Sequence, residues 1–228
     1  MSRLPDAPKP MARLVDVSST KRVMELGHTV LQLFQYGENE FEHVNNLLKW
    51  MNPAKNAVIL DVGCGIGAVA ELMSKPRPDL TFILLNNSPY QLSLCPPTMA
   101  KLLGDMHAVP MDSGLVDIVF VAYTLGYADL NKAMAEFSRL LKPGGRVVIY
   151  DMEGYNPSLR DTLNYNTFTS DQMYQTAKTY GMLLTDAVYP DASLSRVQDV
   201  FDLDPDTAPL IRAALVGLTP VMWNIKKT

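Results

Sequence analysis

Apolar and amphipathic segments alternate along most of this 228-residue chain. Uninterrupted apolar runs occur in "NAVILDV", "DLTFILLNN", "VDIVFVAY" and "RVVIYDM", and they predict strands that are buried on both faces. Segments with apolar residues at helical spacing lie between them, for example "LNKAMAEFSRLLK", which the breaker Pro143-Gly144-Gly145 ends. The stretches "MLLTDAVYP" and "PVMWNIKK" predict two later strands. Strands that alternate with helices predict an α/β fold with a doubly wound parallel sheet.

The N-terminal region follows a different pattern. Three prolines fall within the first ten residues, which predicts an irregular start. Apolar spacing from Thr20 to Leu33 predicts one helix, and "FEHVNNLLKWM" predicts a second helix that Asn52-Pro53 ends. We therefore predict a flexible tail and helical lid over residues 1–52, and one α/β domain over residues 53–228.

Capping residues predict where two of the later helices begin. Ser88 is expected to be an N-cap with Pro89 in the first helical position. Ser170 is expected to cap the helix in "SDQMYQTAKTYG", and Gly181 to end it.

Charge and cysteine usage narrow the classes of partner. The formal net charge is −4 and the Lys and Arg residues are scattered, which disfavours nucleic acid or an anionic membrane as partner. No apolar segment is long enough to span a bilayer, and the start lacks the apolar stretch of a secretory signal. Cys64 and Cys95 form no CxxC motif, and the His residues show no metal-ligand spacing. We expect a soluble cytoplasmic protein without a metal. Whether it forms a homodimer is left open by the sequence.

A glycine-rich loop, "DVGCGIG", follows the first predicted parallel strand. Gly63, Gly65 and Gly67 allow a tight turn and a close approach of backbone to a ligand, although such a loop also serves as a purely structural turn. A dinucleotide is not excluded, since Ala68 fits the last position of its motif. The carboxylate of Asp61 would oppose a pyrophosphate, however, and suits a ligand with an amino or sulfonium group, such as S-adenosylmethionine.

Three motifs in order, "ILDVGCGIG", "GDMHAVPMDSGLVDIVF" and "LLKPGGRVVIYD", resemble those of the class I S-adenosylmethionine-dependent methyltransferases. The resemblance extends over about residues 58–152 and implies a Rossmann-like, seven-stranded sheet, mostly parallel, with an antiparallel last strand. Two shorter stretches, "LNNSPYQL" and "QYGENEFEH", are similar to those of sterol, tocopherol and terpenoid-type C-methyltransferases. The resemblance makes residues 53–228 the catalytic domain.

The resemblance also implies which residues bind the cofactor. Asp61 and the loop residues Gly63, Cys64 and Gly65 would contact the methionine part, and Ala122 would lie near its amino group. Asn86, Asn87 and Gln91 would contact the ribose, and Asp105 and Met106 the adenine. Tyr36 would close the site from the N-terminal side. A carboxylate such as that of Asp105 can accept a hydrogen bond from the adenine amino group.

Three residues are candidates for a catalytic role: Tyr123, Tyr127 and His43. Tyr123 and Tyr127 follow a strand at its carboxyl end, where ligands bind, and their rings could stabilise a carbocation formed from an alkene acceptor. Ordinary packing is the alternative, and sterol enzymes carry an acidic residue and a His at these positions. His43 is a candidate general base, although a solvated helix start explains it equally well. Arg160 alone is well placed to bind a diphosphate, which disfavours such an acceptor.

We therefore predict methyl transfer from S-adenosylmethionine to a small, largely uncharged organic acceptor. C-methylation of an isoprenoid-like substrate is one form of this reaction that the resemblance suggests. O- or N-methylation of a small metabolite stays open, as does a protein that binds the cofactor without catalysis. A nicotinamide oxidoreductase is disfavoured by Asp61.

Overall fold

A computed structural model describes residues 20–21, 24–25, 30, 32, 34–154, 165–194 and 216–228. The helices are α1 (Glu40–Met51), α2 (Ala68–Ser74), α3 (Pro89–Leu94), α4 (Leu130–Leu140) and α5 (Ser170–Thr179). The strands are β1 (Phe34–Gln35), β2 (Val58–Val62), β3 (Thr81–Asn86), β4 (Ala100–Leu103), β5 (Val116–Ala122), β6 (Leu141–Glu153), β7 (Met182–Val188), β8 (Ser193–Leu194) and β9 (Thr219–Lys227). Arg160 lies outside the described residues.

Seven strands form one sheet in the order β4-β3-β2-β5-β6-β9-β7. The pairs from β4 through β6 are parallel, whereas β9 is antiparallel to both of its neighbours, β6 and β7. This is the Rossmann-like, mostly parallel α/β sheet that the sequence predicts, with its last strand antiparallel. A separate two-stranded ladder joins β1 to β8.

Burial on both faces explains the uninterrupted apolar runs. Along β2, Ile59 belongs to the core on the side of α1 and α2, while Leu60 belongs to the core on the side of α4, and both are 0% exposed. Because successive side chains of a strand point to opposite faces, a central strand covered by helices on both sides needs apolar residues throughout.

The helix boundaries agree with the capping signals at Ser88 and at Gly181, which directly follows Tyr180, the C-cap of α5, with a φ of 69°, and they differ in two other cases. Ser88 caps α3 and accepts from the Gln91 N–H, with Pro89 first in the helix, as predicted. The cap of α5 is Thr169, which forms a capping box with Gln172, so Ser170 is the first helical residue instead. Helix α4 ends at Leu140, before the Pro-Gly-Gly breaker, and β6 begins at the next residue.

The N-terminal helix predicted up to Leu33 is too long. Thr20, Lys21, Met24 and Glu25 are helical, but Val30 and Gln32 are not. The Val30 N–H donates to Glu40 Oε1 at 3.0 Å, and the Gln32 side chain pairs with His43, so tertiary hydrogen bonds replace helical ones here. The division into a lid over residues 1–52 and a domain over residues 53–228 remains a prediction. No helix in the described ranges is long and apolar enough to cross a membrane.

Candidate active site

A pocket of about 230 Å³ opens at the carboxyl ends of β2, β3 and β5. Parallel α/β sheets bind ligands at this edge. The pocket is lined by Val62, Gly63, Leu85, Asn86, Asn87, Gln91, Gly104, Asp105, Met106, His107, Thr124 and Tyr127. The structure thus brings together predicted residues from the glycine loop, the second parallel strand, the loop before β5 and the turn after it.

The glycine loop is bent by residues in the left-handed region. Gly63, Gly65 and Gly67 have φ of 69°, 56° and 79°. A Cβ on Gly63 would lie 2.3 Å from Cγ2 of Thr124, so this position excludes any side chain. The N–H groups of Gly63 and Cys64 donate to the Leu85 carbonyl at 2.8 and 3.1 Å, which holds the loop against the end of β3.

Asp61 carries a buried carboxylate at the end of β2, just before this loop. The residue is 4% exposed and its Oδ2 has no hydrogen-bond partner within the described part of the chain. Burial raises the pKa of Asp61 from 3.8 to about 7. An unpaired, buried carboxylate oxygen is costly unless a cation meets it. The residue therefore fits the amino group of an S-adenosylmethionine methionine moiety, as the resemblance implies.

Asn86 joins three elements around the pocket. Its Nδ2 donates to the Gly65 carbonyl at 3.1 Å and to Gln91 Oε1 at 2.8 Å, while its Oδ1 accepts from the Ser88 N–H at 3.0 Å. The side chain thereby fixes the glycine loop and α3 relative to β3. Both amide protons are engaged within the protein, so the predicted ribose contact of Asn86 remains a prediction, as does that of its exposed neighbour Asn87.

Asp105 is held by a histidine that the sequence reasoning did not select. Its Oδ1 accepts from the backbone N–H of His107 at 2.8 Å and lies 2.6 Å from His107 Nδ1. His107 Nε2 accepts from the Asp129 N–H at 3.0 Å, which places the ring proton on Nδ1. His107 therefore orients the carboxylate predicted to bind adenine. The Asp-x-His spacing is the only sequence signal for it.

Tyr127 lines the pocket and packs against Tyr165, which is hydrogen-bonded to Asp151. The sequence predicts no role for this pair. The Tyr127 ring meets Tyr165 edge-on, with 4.9 Å between the ring centroids. The Tyr165 hydroxyl lies 2.7 Å from each carboxylate oxygen of Asp151. Burial raises the pKa of Asp151 to about 7, although the hydrogen bond from Tyr165 opposes the rise. A Cβ on Gly126 would lie 2.2 Å from Cε1 of Tyr165, so Tyr165 packs directly on the turn that carries Tyr127.

Other predicted residues lie in a cluster beside the pocket rather than in its lining. His43 Nδ1 accepts from the Tyr36 N–H at 2.8 Å, and its Nε2 pairs with Gln32 Oε1 at 2.5 Å. Burial lowers the pKa of His43 to about 4. The ring packs on Tyr150, which meets Tyr123 edge-on. Both ring nitrogens of His43 are engaged, and this geometry does not favour its predicted role as a base.

Two further predicted residues take backbone or packing positions. Ala122 is the last residue of β5, in register with Tyr150 of β6. Cys64 is buried within the glycine loop, next to the buried Cys95. Among the residues that the structure describes, no group of His, Cys, Asp and Glu has the arrangement of a metal site.

The sequence and the structure both match known methyltransferases. Residues 60–149 match a family model described as a methyltransferase domain. The sterol 4-C-methyltransferase strm-1 of Caenorhabditis elegans is 28% identical over 109 residues, which cover 43% of this chain and 32% of that enzyme. The chain thus spans about a third of that relative's length.

Solved structures show the same fold at low sequence identity. The [4+2]-cyclase SpnF has a TM-score of 0.75 at 14% identity, with 100% of this chain and 99% of that chain covered. The geranyl diphosphate C-methyltransferase of Streptomyces coelicolor A3(2) has a TM-score of 0.70 at 14% identity, with 100% and 90% covered. Residues 60–149 are therefore a methyltransferase domain, and the chain has the fold of the class I S-adenosylmethionine-dependent methyltransferases.

Proposed function

We propose that this chain transfers a methyl group from S-adenosylmethionine to a small, largely uncharged organic acceptor. The observation that carries the proposal is the combination of the glycine-loop pocket with the buried carboxylate of Asp61, which lies directly before the lining residues Val62 and Gly63 and whose Oδ2 has no hydrogen-bond partner among the described residues. A carboxylate in this position repels phosphates and attracts the ammonium group of an amino-acid ligand. This supports S-adenosylmethionine over a dinucleotide.

The residues have separate tasks in this proposal. S-adenosylmethionine supplies an activated methyl group, and an in-line displacement then requires chiefly that the acceptor is held close and aligned. Asp61 would bind the ammonium group. Asp105, oriented by His107, would accept from the adenine amino group. Gly63 lets the loop pack directly on the pocket residue Thr124, because no side chain fits between them.

The acceptor side of the pocket is aromatic rather than basic. Tyr127 lines it with Tyr165 behind, and the described lining residues include no Lys or Arg. A diphosphate needs cationic partners, whereas a neutral alkene or ring needs apolar and aromatic contact. The named substrate of the sterol relative is of the latter kind, and that of the geranyl diphosphate enzyme is of the former. We therefore propose an isoprenoid-like acceptor without a diphosphate, methylated at carbon.

Methylation at oxygen or nitrogen is the alternative, because neither tyrosine discriminates among these atoms. Cofactor binding without methyl transfer is a third candidate function, since the same fold occurs in SpnF, which is described as a [4+2]-cyclase.

Two measurements separate these functions. Calorimetry with S-adenosylhomocysteine tests the cofactor site by comparing the parent chain with Asp61→Asn. Asp191→Asn, which changes an exposed carboxylate, serves as the control.

In the second measurement, labelled S-adenosylmethionine is offered with a sterol, a prenylated quinol, geranyl diphosphate, a simple phenol and a small amine. Label in the sterol or quinol supports the proposal, and label only in geranyl diphosphate contradicts the uncharged acceptor. Tight binding with no label transferred, including to a cell extract, indicates a non-catalytic binder. Absence of binding refutes the cofactor assignment.

A further inference from the structure

The two cysteines of the chain are buried side by side behind the glycine loop. Cys64 is 9% exposed and Cys95 is 3% exposed. Each Sγ lies 3.6 Å from the carbonyl oxygen of Gly65, and the Cys95 Sγ also lies 3.4 Å from the carbonyl oxygen of Gln91. An interaction between the two thiols shifts the pKa of each of them. The fold thus holds Cys95 in contact with Gly65, thirty positions earlier in the sequence, and with its neighbour Cys64.

This contact joins two elements of the pocket. Cys64 lies between Gly63 and Gly65 in the loop, whereas Cys95 directly follows α3, whose Gln91 lines the pocket. The Gly65 carbonyl that both thiols share also accepts from Asn86. A change at the sulfur atoms therefore acts on the loop and on α3 together.

The two thiols differ in reactivity. The hydrogen bond from Cys64 lowers the pKa of the Cys95 thiol, and the nearby ammonium group of Lys101 lowers it further. The same hydrogen bond, together with burial, raises the pKa of Cys64. Lys101 is fixed in place, since its Nζ donates to the Cys95 carbonyl at 2.7 Å. Cys95 is therefore the better nucleophile of the pair once a local opening of the fold exposes its sulfur, because the thiolate is the reactive form.

We propose that Cys64 and Cys95 form an intramolecular disulfide when the chain meets a low-molecular-weight disulfide, and that this bond weakens cofactor binding. The expected loss of cofactor binding rests on the proposed function, whereas the formation of the disulfide does not.

The exchange balances in two steps. The Cys95 thiolate attacks the external disulfide, forms a mixed disulfide and releases one thiolate, which takes the proton of Cys64. The Cys64 thiolate then attacks the Cys95 sulfur and expels the second external thiolate, which takes a proton from water. Two protein thiols are oxidised, and one external disulfide is reduced to two thiols.

The disulfide would deform the pocket wall. A disulfide holds its sulfur atoms about 2.05 Å apart, so two sulfurs in hydrogen-bond contact must move together. The Gly65 carbonyl loses its thiol donors at the same time. The loop, whose glycines hold the left-handed conformation at Gly63 and Gly65, must shift toward α3. We expect S-adenosylhomocysteine to bind about tenfold more weakly.

The first experiment tests the bond itself. The reduced protein is treated with glutathione disulfide, denatured and alkylated with a maleimide of high mass. The expected product is a monomer without free thiols, with a peptide linking Cys64 to Cys95 in the mass spectrum. Cys95→Ser and Cys64→Ala serve as matched controls, with circular dichroism to establish folding: Cys95→Ser should keep one modifiable thiol, whereas Cys64→Ala should retain glutathione on Cys95 because no second thiol displaces it. Two alkylated thiols, a disulfide-linked dimer or glutathione adducts alone would overturn the proposal.

The second experiment tests its consequence. Calorimetry compares S-adenosylhomocysteine affinity before oxidation, after it and after reduction with dithiothreitol. A reversible, about tenfold loss supports the proposal, and by linkage the ligand must lower the stability of the disulfide by the same factor, about 30 mV in its reduction potential. Equal affinities refute the regulatory half. Failure of the reduced protein to bind at all refutes the proposed function, while the disulfide result stands.

Discussion

Replacing Asp61 by Asn should stabilise the ligand-free chain at alkaline pH, even though the residue belongs to the candidate cofactor site. Burial raises the pKa of Asp61 from 3.8 to about 7. Between these pH values the folded state therefore binds more protons than the unfolded state, and this carboxyl makes stability fall as the pH rises from about 4 to about 7. Above pH 7 the full cost of an ionised, buried group is present.

The magnitude follows from the difference in pKa. At 1.36 kcal/mol for each pH unit, the difference between 3.8 and about 7 corresponds to about 4 kcal/mol. Asn carries no charge but must bury an amide, which costs roughly 1–3 kcal/mol without a partner. The net expectation at pH 8 is a gain of about 1–3 kcal/mol in the free energy of unfolding, since the two terms oppose each other. At pH 4 the variant should instead be less stable than the parent chain by about 1–3 kcal/mol, because the Asp61 carboxyl is then protonated in the folded chain and only the cost of the buried amide remains.

Urea denaturation at pH 4, 6 and 8 measures this change directly. Asp191→Asn serves as the control because that residue is exposed, and it should leave the pH dependence of stability unaltered. The same Asp61→Asn variant should bind S-adenosylhomocysteine at least tenfold more weakly by calorimetry. A variant that is less stable than the parent chain at pH 8, or whose stability difference does not depend on pH, would refute the reasoning.

Three further changes test the site. Asn86→Asp should weaken S-adenosylhomocysteine binding more than tenfold by calorimetry, because it removes the donors to Gly65 and Gln91, whereas the exposed Asn87→Asp should have little effect. Tyr165→Phe should lower the free energy of unfolding in urea at pH 8 by about 1–3 kcal/mol, since the buried Asp151 loses its hydroxyl donor, and an unchanged value would contradict this. In the parent chain, affinity for S-adenosylhomocysteine should fall about tenfold for each pH unit below 7, as Asp61 becomes protonated, and Asp61→Asn should abolish the slope.

The sheet was predictable because its central strands carry a strong local signal. Strand β2 is buried on both faces, and its apolar run is visible without any tertiary knowledge. Strand β4 was missed for the converse reason. It lies at the edge of the sheet, Lys101 and Leu103 are exposed, and its sequence contains no apolar run or alternation.

The site was predictable where its chemistry is local in sequence. The glycine loop follows one predicted strand, Asp105 precedes another, and both reach the pocket. Tyr165 could not be found in this way, because its role depends on Asp151, fourteen positions earlier, and on the missing Cβ of Gly126. Nor does the sequence indicate that His43 is engaged at both ring nitrogens, since Gln32 reaches it only through the fold.

Two buried carboxylates near the site share the same raised pKa, and their hydrogen-bond partners distinguish the structural carboxylate from the functional one. Burial raises the pKa of both Asp61 and Asp151 to about 7. Asp151 accepts from the Tyr165 hydroxyl and from the Met152 N–H, and this network fixes the turn that carries Tyr127. One oxygen of Asp61 has no partner in the part of the chain that the structure describes, although an uncompensated buried charge lowers stability. Selection for stability alone would replace such a group, so its presence beside the glycine loop is best explained by a cationic ligand that completes it.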